Sequence, residues 1–212
     1  MRWLDLFCCA GGSAMGMIQA GHKVTGIDIE PQPEYPGEFI QKNVFDLDPI
    51  WIKENFEAIW ASPICQRFTW GTRRDRDEKF ENQIPATREL LKQTGLPYII
   101  ENVPAAPLRR DVFLCGEMFG LRVLRHRIFE MHEFKSKQPV HPKHKRKIDL
   151  IHSYYSQVAG HGGDSYSFKL SDWQKDMGIT HITDVEHLVE AIPPAYSKYL
   201  TSNLFSGKLM TL

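Results

Sequence analysis

Trp3-Leu4-Asp5-Leu6-Phe7-Cys8-Cys9-Ala10-Gly11-Gly12 is the stretch that decides the fold. Trp3–Phe7 is a short apolar run that predicts a buried strand, and Gly11-Gly12 predicts a turn. Ser13 is placed to cap a helix running through Ala20, and Gly21 stands where a helix ends. Lys23–Ile29 reads as a second strand. Strand, glycine turn, helix and strand in so short a span make one βαβ unit, whose strands are parallel.

The same alternation continues outward. Pro31–Pro36 predicts a loop, Phe39–Gln41 a third strand and Phe56–Ala61 a fourth. Arg67–Asn82 is polar and without periodicity, which predicts a loop. Pro85–Thr94 predicts a helix stopped by Gly95, and Tyr98–Asn102 a fifth strand. Val123–Met131 alternates enough for strands, arranged as a hairpin. Lys135–Gly163 is irregular and basic. Ser171-Asp172-Trp173-Gln174 and Thr183-Asp184-Val185-Glu186 each fit a capping box, and Pro193-Pro194 ends the second of these helices. The fold class expected is α/β with a mostly parallel sheet.

The chain has 212 residues, with 26 basic and 26 acidic side chains. That size predicts one domain with a full core, and the balance gives no global signal for nucleic acid. The distribution does: Lys135, Lys137, Lys143, Lys145, Arg146 and Lys147 crowd one stretch, fit either for a solvated face or for phosphates. The four cysteines show no CxxC pair and no zinc spacing, so no metal site is expected. Nothing reads as a signal peptide or a membrane span, so an intracellular setting with reduced thiols is expected.

Two strand ends carry chemistry. Cys65 follows the fourth strand in Ala61-Ser62-Pro63-Ile64-Cys65-Gln66, and Glu101 ends the fifth in Glu101-Asn102-Val103-Pro104. A thiolate that adds to C6 of a pyrimidine makes C5 nucleophilic, and a carboxyl held in a dry pocket can steady the ring nitrogens. Asn102 is read as ordering its loop. Arg125 and Arg127, two apart on a predicted strand, should share one face and reach an oxygen of the pyrimidine or a phosphate. The glycine turn exposes backbone N–H groups at a helix N-terminus, suited to a dinucleotide pyrophosphate or to the amino-acid part of S-adenosylmethionine. Asp28 ends the next strand, where a carboxylate can take two ribose hydroxyls. The turn departs from G-x-G-x-x-G, which counts against nicotinamide.

Asp5–Gly12, Ser62–Gln66, Glu101–Val103, Arg125-His126-Arg127 and Ile192-Pro193-Pro194-Ala195-Tyr196 occur in that order. Together they resemble the ordered motifs of the C5-cytosine DNA methyltransferases, and among these the short phage- and prophage-type DNA cytosine methylases. Leu114–Arg122 and Val158–His161 are similar to that group as well. The resemblance implies a Rossmann-like, seven-stranded S-adenosylmethionine-dependent methyltransferase sheet with its last strand antiparallel. It implies that Ile192–Leu200 packs beside the Asp5–Gly12 turn. It implies S-adenosylmethionine as donor, S-adenosylhomocysteine as product and DNA as partner, for a monomer in the cytoplasm of a bacterium or phage-infected cell.

By the same resemblance Phe7 would lie beside the sulfonium and adenine, the backbone of Ala10, Gly11 and Gly12 would hold the amino-acid moiety, and Asp28 the ribose. Asn43 would meet the adenine edge, with Asp46 as fallback. Asp5, Cys8, Ile29, Val44, Ser62, Pro63 and Tyr196 complete the implied cofactor set. Gln66, Thr69, Arg73, Arg74, Lys143, Lys145 and Arg146 are implied on the nucleic acid, with Trp70 and Arg76 in the same loop. The expected organisation is a catalytic core over 1–133, a small basic target-recognition insertion over 134–172 and C-terminal helices over 173–212. Groove reading would fall to His141, Lys143, His144, Lys145, Arg146, His152 or Gln157.

Two positions depart from the family pattern. Ile64 replaces the second proline before the nucleophile and loosens its entry angle or reshapes the pocket. Cys9 replaces a glycine, so its side chain should press on the cofactor or require φ below zero. Four readings follow: DNA cytosine C5 methylation; the same chemistry on a free nucleotide or RNA or with an altered methyl-type donor; a catalytically silent nucleic-acid-binding protein; and a nicotinamide oxidoreductase, which leaves Cys65, Glu101 and the arginines unused.

Overall fold

The computed structural model describes residues 1–68, 80–144, 169–202 and 205–206. A seven-stranded sheet runs through its centre. The strands are β1 (Arg2–Leu6), β2 (Lys23–Asp28), β3 (Glu38–Gln41), β4 (Ala58–Ala61), β5 (Tyr98–Asn102), β6 (Val112–Leu114) and β7 (Arg127–His132), in the order β3-β2-β1-β4-β5-β7-β6. β1 through β5 pair in parallel, and β7 runs antiparallel to both neighbours. The helices are α1 (Gly12–Gln19), α2 (Pro49–Asn55), α3 (Ile84–Thr94), α4 (Leu170–Met177), α5 (Val185–Glu190) and α6 (Pro194–Ser202). β8 (Phe134–Lys135) and β9 (Phe205–Ser206) form a separate pair. Among the described residues no helix is long and apolar enough to cross a membrane.

Strand alternation sorts the side chains onto two buried faces. Trp3, Val24, Ala58, Trp60 and Ile99 join Ala14 and Met17 of α1 and Tyr196 and Leu200 of α6. Leu4, Leu6, Ile27, Ile59 and Ile100 face α2 and α3 through Ile52, Leu90 and Leu91. The same alternation puts Asp5, Asp28 and Glu101 on the α1/α6 face, at or near the carboxyl ends of three parallel strands. A third cluster, with Trp173, Met177, Ile182 and Leu188 from the α4–α5 region, closes over Ala10.

Several elements start elsewhere than the sequence predicts. Gly11 (φ 79°), not Ser13, is the N-cap of α1; Ser13 lies inside the helix and gives its hydroxyl to Asp5. The helix predicted to be capped at Ser171 is capped two residues earlier, at Lys169, with the Asp172 carboxylate accepting from the Lys169 N–H. Asp184, not Thr183, caps α5, accepting from the N–H groups of Glu186 and His187. Thr183 is occupied by Glu34 of the Pro31–Pro36 loop, which accepts its N–H at 2.7 Å. The predicted hairpin over Val123–Met131 is a single strand from Arg127, and it pairs with Val112–Leu114 on one side and Tyr98–Asn102 on the other. The positive φ of Arg125 (35°) ends the strand geometry there. α2 was missed by periodicity, yet Asp48-Pro49 signals it: the Asp48 carboxylate caps Ile50 N–H at 2.8 Å and proline occupies the first helical position.

α6 packs on α1 so closely that side chains are excluded between them. A Cβ added to Gly12 would lie 2.4 Å from the Ile192 carbonyl oxygen, and one on Gly16 2.0 Å from that of Pro194. Ser197 donates to the Ser13 carbonyl at 2.7 Å. The C-terminal segment thus lies directly against the glycine turn.

Candidate active site

In open parallel sheets ligands bind outside the carboxyl ends of the strands, where the strand order reverses direction. Here that point lies between β1 and β4. Each neighbouring strand end delivers a residue singled out in the sequence.

At the end of β1 the chain turns through Phe7 (φ 57°), Cys9 (φ 44°) and Gly11 (φ 79°). The Cys9 N–H donates to Asp28 Oδ2 at 2.9 Å, and Asp28 Oδ1 accepts from Glu30 N–H at 3.1 Å. Asp28 therefore braces the turn as well as facing outward. Of the two expectations for Cys9, the φ below zero is corrected: its φ is 44°, in the region a glycine adopts without strain. Cys9 and Phe7 are the half-buried residues of the turn, while Ala10, Gly11 and Gly12 are buried. His181 sits on the Ala10 carbonyl at 3.1 Å, and Tyr35 and Pro36 close over Gly11. The Cys8 thiol is buried beside Gly26, so its backbone alone faces the turn.

Beyond the turn the surface is apolar. Ile29 is 60% exposed and Phe45 40% exposed, and the Phe45 ring meets Phe7 edge-on at 5.8 Å. Phe45 was not singled out in the sequence; its signal was an aromatic immediately after Asn43-Val44. Asn43 spends its side-chain oxygen on the Phe45 N–H at 3.0 Å, Val44 is buried and Asp46 exposed. Phe7, Ile29 and Phe45 thus form an apolar surface near the ends of β1 and β2, close to the Asp28 carboxylate.

Asp5 is fully buried beneath the turn, accepting from Ser13 at 3.1 Å and Tyr35 at 3.2 Å, with its Oδ1 unpartnered. Burial pushes its carboxyl up to about 8 against those two hydrogen bonds. The unfolded chain ionises Asp near 4, so between about pH 4 and 8 the folded state holds the extra proton and stability falls as pH rises. Asp5→Asn is expected to flatten that slope and to gain up to a few kcal/mol at the alkaline end. Urea midpoints of both proteins at about pH 5 and 8 check this; parallel pH slopes would refute it.

β4 and β5 supply the reactive pair. Cys65 is half-buried after Pro63-Ile64, packed with Phe68 and Leu108 against Ile84, Val103 and Ala106. Its carbonyl accepts the Phe68 N–H at 2.9 Å, opening a short 3-10 turn over Gln66–Phe68. Asn102 donates to the Pro63 carbonyl at 2.8 Å and accepts the Val103 N–H at 2.9 Å, so it locks the two loops together. Glu101 is 4% exposed. Burial raises its carboxyl above the ordinary glutamate range, opposed by Arg127, the Ser62 hydroxyl and Arg125. Arg127 Nε lies 2.9 Å from Glu101 Oε1, both side chains largely buried. Ser62 in turn accepts from the Trp60 indole at 2.9 Å.

Arg125 lies ahead of β7, so strand alternation is not what unites the arginines. It reaches across to the Val189 carbonyl at 2.6 Å, and it lies within electrostatic range of Arg127, Tyr196, Cys65 and Glu101. Tyr196 is fully buried in α6 and donates to the Arg125 carbonyl at 2.9 Å. Its place is therefore behind the arginine turn, which it holds. Burial pushes the thiols of Cys8, Cys9 and Cys115 up. Of the residues expected on nucleic acid, Gln66 is half-buried at the site and Lys143 exposed. Thr69, Trp70, Arg73, Arg74, Arg76, Lys145, Arg146, His152 and Gln157 lie outside the described residues.

No protein-family model matches the chain, and no curated protein matches it. Solved structures do. The Entamoeba histolytica methyltransferase EhMeth superposes with a TM-score of 0.59 at 13% identity, over 95% of this chain and 96% of that one. A Spodoptera frugiperda DNMT2 mutant gives 0.47 at 20% identity over 60% of this chain, and S. pombe Dnmt2 methyltransferase 0.46 at 17% over 62%. The chain spans about half the length of these last two, 48% of each. The fold is the Rossmann-like α/β fold of S-adenosylmethionine-dependent methyltransferases.

Proposed function

We propose that this chain is an S-adenosylmethionine-dependent methyltransferase acting on C5 of cytosine in DNA. The observation that carries the reading is the placement of Cys65 and Glu101. A thiol and a carboxyl that burial raises above its ordinary range leave adjacent parallel strands on loops tied together by Asn102, both within electrostatic range of Arg125, with Arg127 paired to Glu101.

The donor, when bound, supplies an electrophilic methyl group. Phe7, Ile29 and Phe45 would flank its adenosine, Asp28 its ribose, and the Cys9–Gly12 backbone its amino-acid end. Cys65 as thiolate forms a bond to C6, and the ring electrons move toward C5 and N3. Glu101 shares its proton with N3 and accepts from the exocyclic amine, while Arg127 holds the carboxyl in place. Once C5 carries the methyl, its proton leaves and the Cys65–C6 bond breaks, restoring the aromatic ring. A cytosine in a duplex must first be flipped out. The insertion over 134–172 is the proposed target-recognition part.

The test is covalent trapping on DNA bearing 5-fluorocytosine, whose fluorine blocks elimination. With S-adenosylmethionine the wild type is expected to give a denaturant-stable, methylated adduct that is absent in Cys65→Ser. An adduct on RNA of the same sequence but not on DNA would move the substrate to RNA. No adduct on either, from protein that binds the cofactor, would overturn the reading.

A further inference from the structure

On the opposite edge of the sheet from the cofactor turn, four side chains from three distant segments converge. Cys115 directly follows β6, His126 directly precedes β7, and His141 and His144 lie on the segment after β8. Their ligand atoms all lie within 4.8 Å of one another. His126 Nε2 is 3.1 Å from His141 Nε2 and 3.0 Å from His144 Nε2, and Cys115 Sγ is 3.8 Å from His144 Nε2. We propose that Cys115, His126, His141 and His144 bind one zinc ion in a closed, tetrahedral, structural site.

The distances fit. Zinc bonds of about 2.0–2.1 Å to nitrogen and 2.3 Å to sulfur place tetrahedral ligand atoms roughly 3.3 Å apart for N···N and 3.6 Å for N···S. Hydrogen bonding among the rings accounts for the arrangement less well. His144 Nδ1 lies 2.7 Å from Glu117 Oε2, a carboxylate oxygen that only accepts, so Nδ1 carries the proton and Nε2 presents a lone pair. A proton on His126 Nε2 can then satisfy His144 or His141, leaving another close nitrogen pair with no proton between its members. A metal ion satisfies every lone pair at once. The Glu117–His144 contact is the carboxylate–histidine support that orients zinc-bound imidazoles. Ring stacking of Phe113 on His126 and of His126 on His141 holds the rings, but does not require their nitrogens to meet at one point.

Cysteine spacing predicts no metal here because three ligands are histidines and only the antiparallel pairing of β6 with β7 brings Cys115 to His126. Gln138 fixes the third segment, donating to the Phe113 carbonyl and accepting its N–H at 2.8 and 2.7 Å. The ion would staple the start of the basic segment to the sheet beside Arg125 and Arg127. His141 and His144, two residues the sequence offers to a DNA groove, would then be committed to metal. This site stands whether or not the chain transfers methyl groups.

The test uses the untagged full chain, dialysed against zinc chloride and then against metal-free buffer, with metal measured by plasma mass spectrometry. About one zinc per chain is expected, retained in His132→Ala and lost by about tenfold or more in Cys115→Ser and in His141→Ala. Glu117→Gln should weaken zinc affinity by about 10–100-fold. Should the ligand variants not fold, cobalt(II) bound to the wild type reads the site instead. Intense tetrahedral bands with a thiolate-to-cobalt charge-transfer band are expected. Less than about a tenth of a zinc per chain, or cobalt without that charge-transfer band, would overturn the proposal.

Discussion

Cys65→Ala is expected to lower methyl transfer by a factor on the order of 10⁴–10⁶ while cofactor binding is unchanged. The size follows from the reaction. Cytosine C5 is a poor nucleophile until C6 carries a covalent substituent, and no other described thiol is placed to supply one. Cys8 is 4% exposed and packed in the core beside Gly26, and Cys115 is fully buried. Cys9 is half-buried in the cofactor turn, where burial and the Asp28 carboxylate hold its thiol protonated. Cys65 opens a loop, half-buried past the end of β4, and lies within electrostatic range of the Arg125 guanidinium. Single-turnover transfer of a labelled methyl, run beside a calorimetric titration with S-adenosylhomocysteine, separates chemistry from binding. Retention of more than about a hundredth of the rate would remove Cys65 from the nucleophile role.

Glu101→Gln is expected to cost about 10²–10⁴-fold in methyl transfer, and to remove the loss of folding stability that accompanies Glu101 deprotonation. The two halves have one cause. Burial raises the Glu101 carboxyl above its ordinary range, so the folded state holds its proton at a pH where the unfolded chain has released it. That group's contribution to stability is complete at low pH and declines as pH rises through the raised value. A neutral amide in its place removes the decline, so the Gln protein should match or exceed the wild type in denaturant midpoint. It can still hydrogen-bond N3 and the exocyclic amine but cannot give up or regain a proton. The limb of the pH–rate profile that falls as Glu101 deprotonates should vanish in the variant. A Gln protein that retains that limb would assign it to another group, and one that unfolds would make Glu101 a structural residue.

The sequence by itself determined the layers. Strands buried on both faces must be apolar throughout, and the turn between Phe7 and Ser13 must carry glycines, so β1, α1 and β2 are legible from composition and spacing alone. The strand ends that carry Cys65 and Glu101 are legible for the same reason: an apolar run stops, and a polar or reactive residue follows. What only the tertiary structure decided is the work of residues far apart in sequence. The glycines of α1 are required by the Ile192 and Pro194 carbonyls as much as by the turn, and nothing local to Gly12 or Gly16 shows that. Asp5 holds Ser13 and Tyr35, and Tyr196 holds the turn that aims Arg125, because burial away from water makes each polar group find its partners within the protein. Capping is decided in the same way. Thr183 is taken by Glu34 and Ser13 by Asp5, so a neighbouring residue caps each helix. The convergence of Cys115 with three histidines depends on a strand pairing that sequence spacing cannot count, because the chain leaves the site and returns between its ligands.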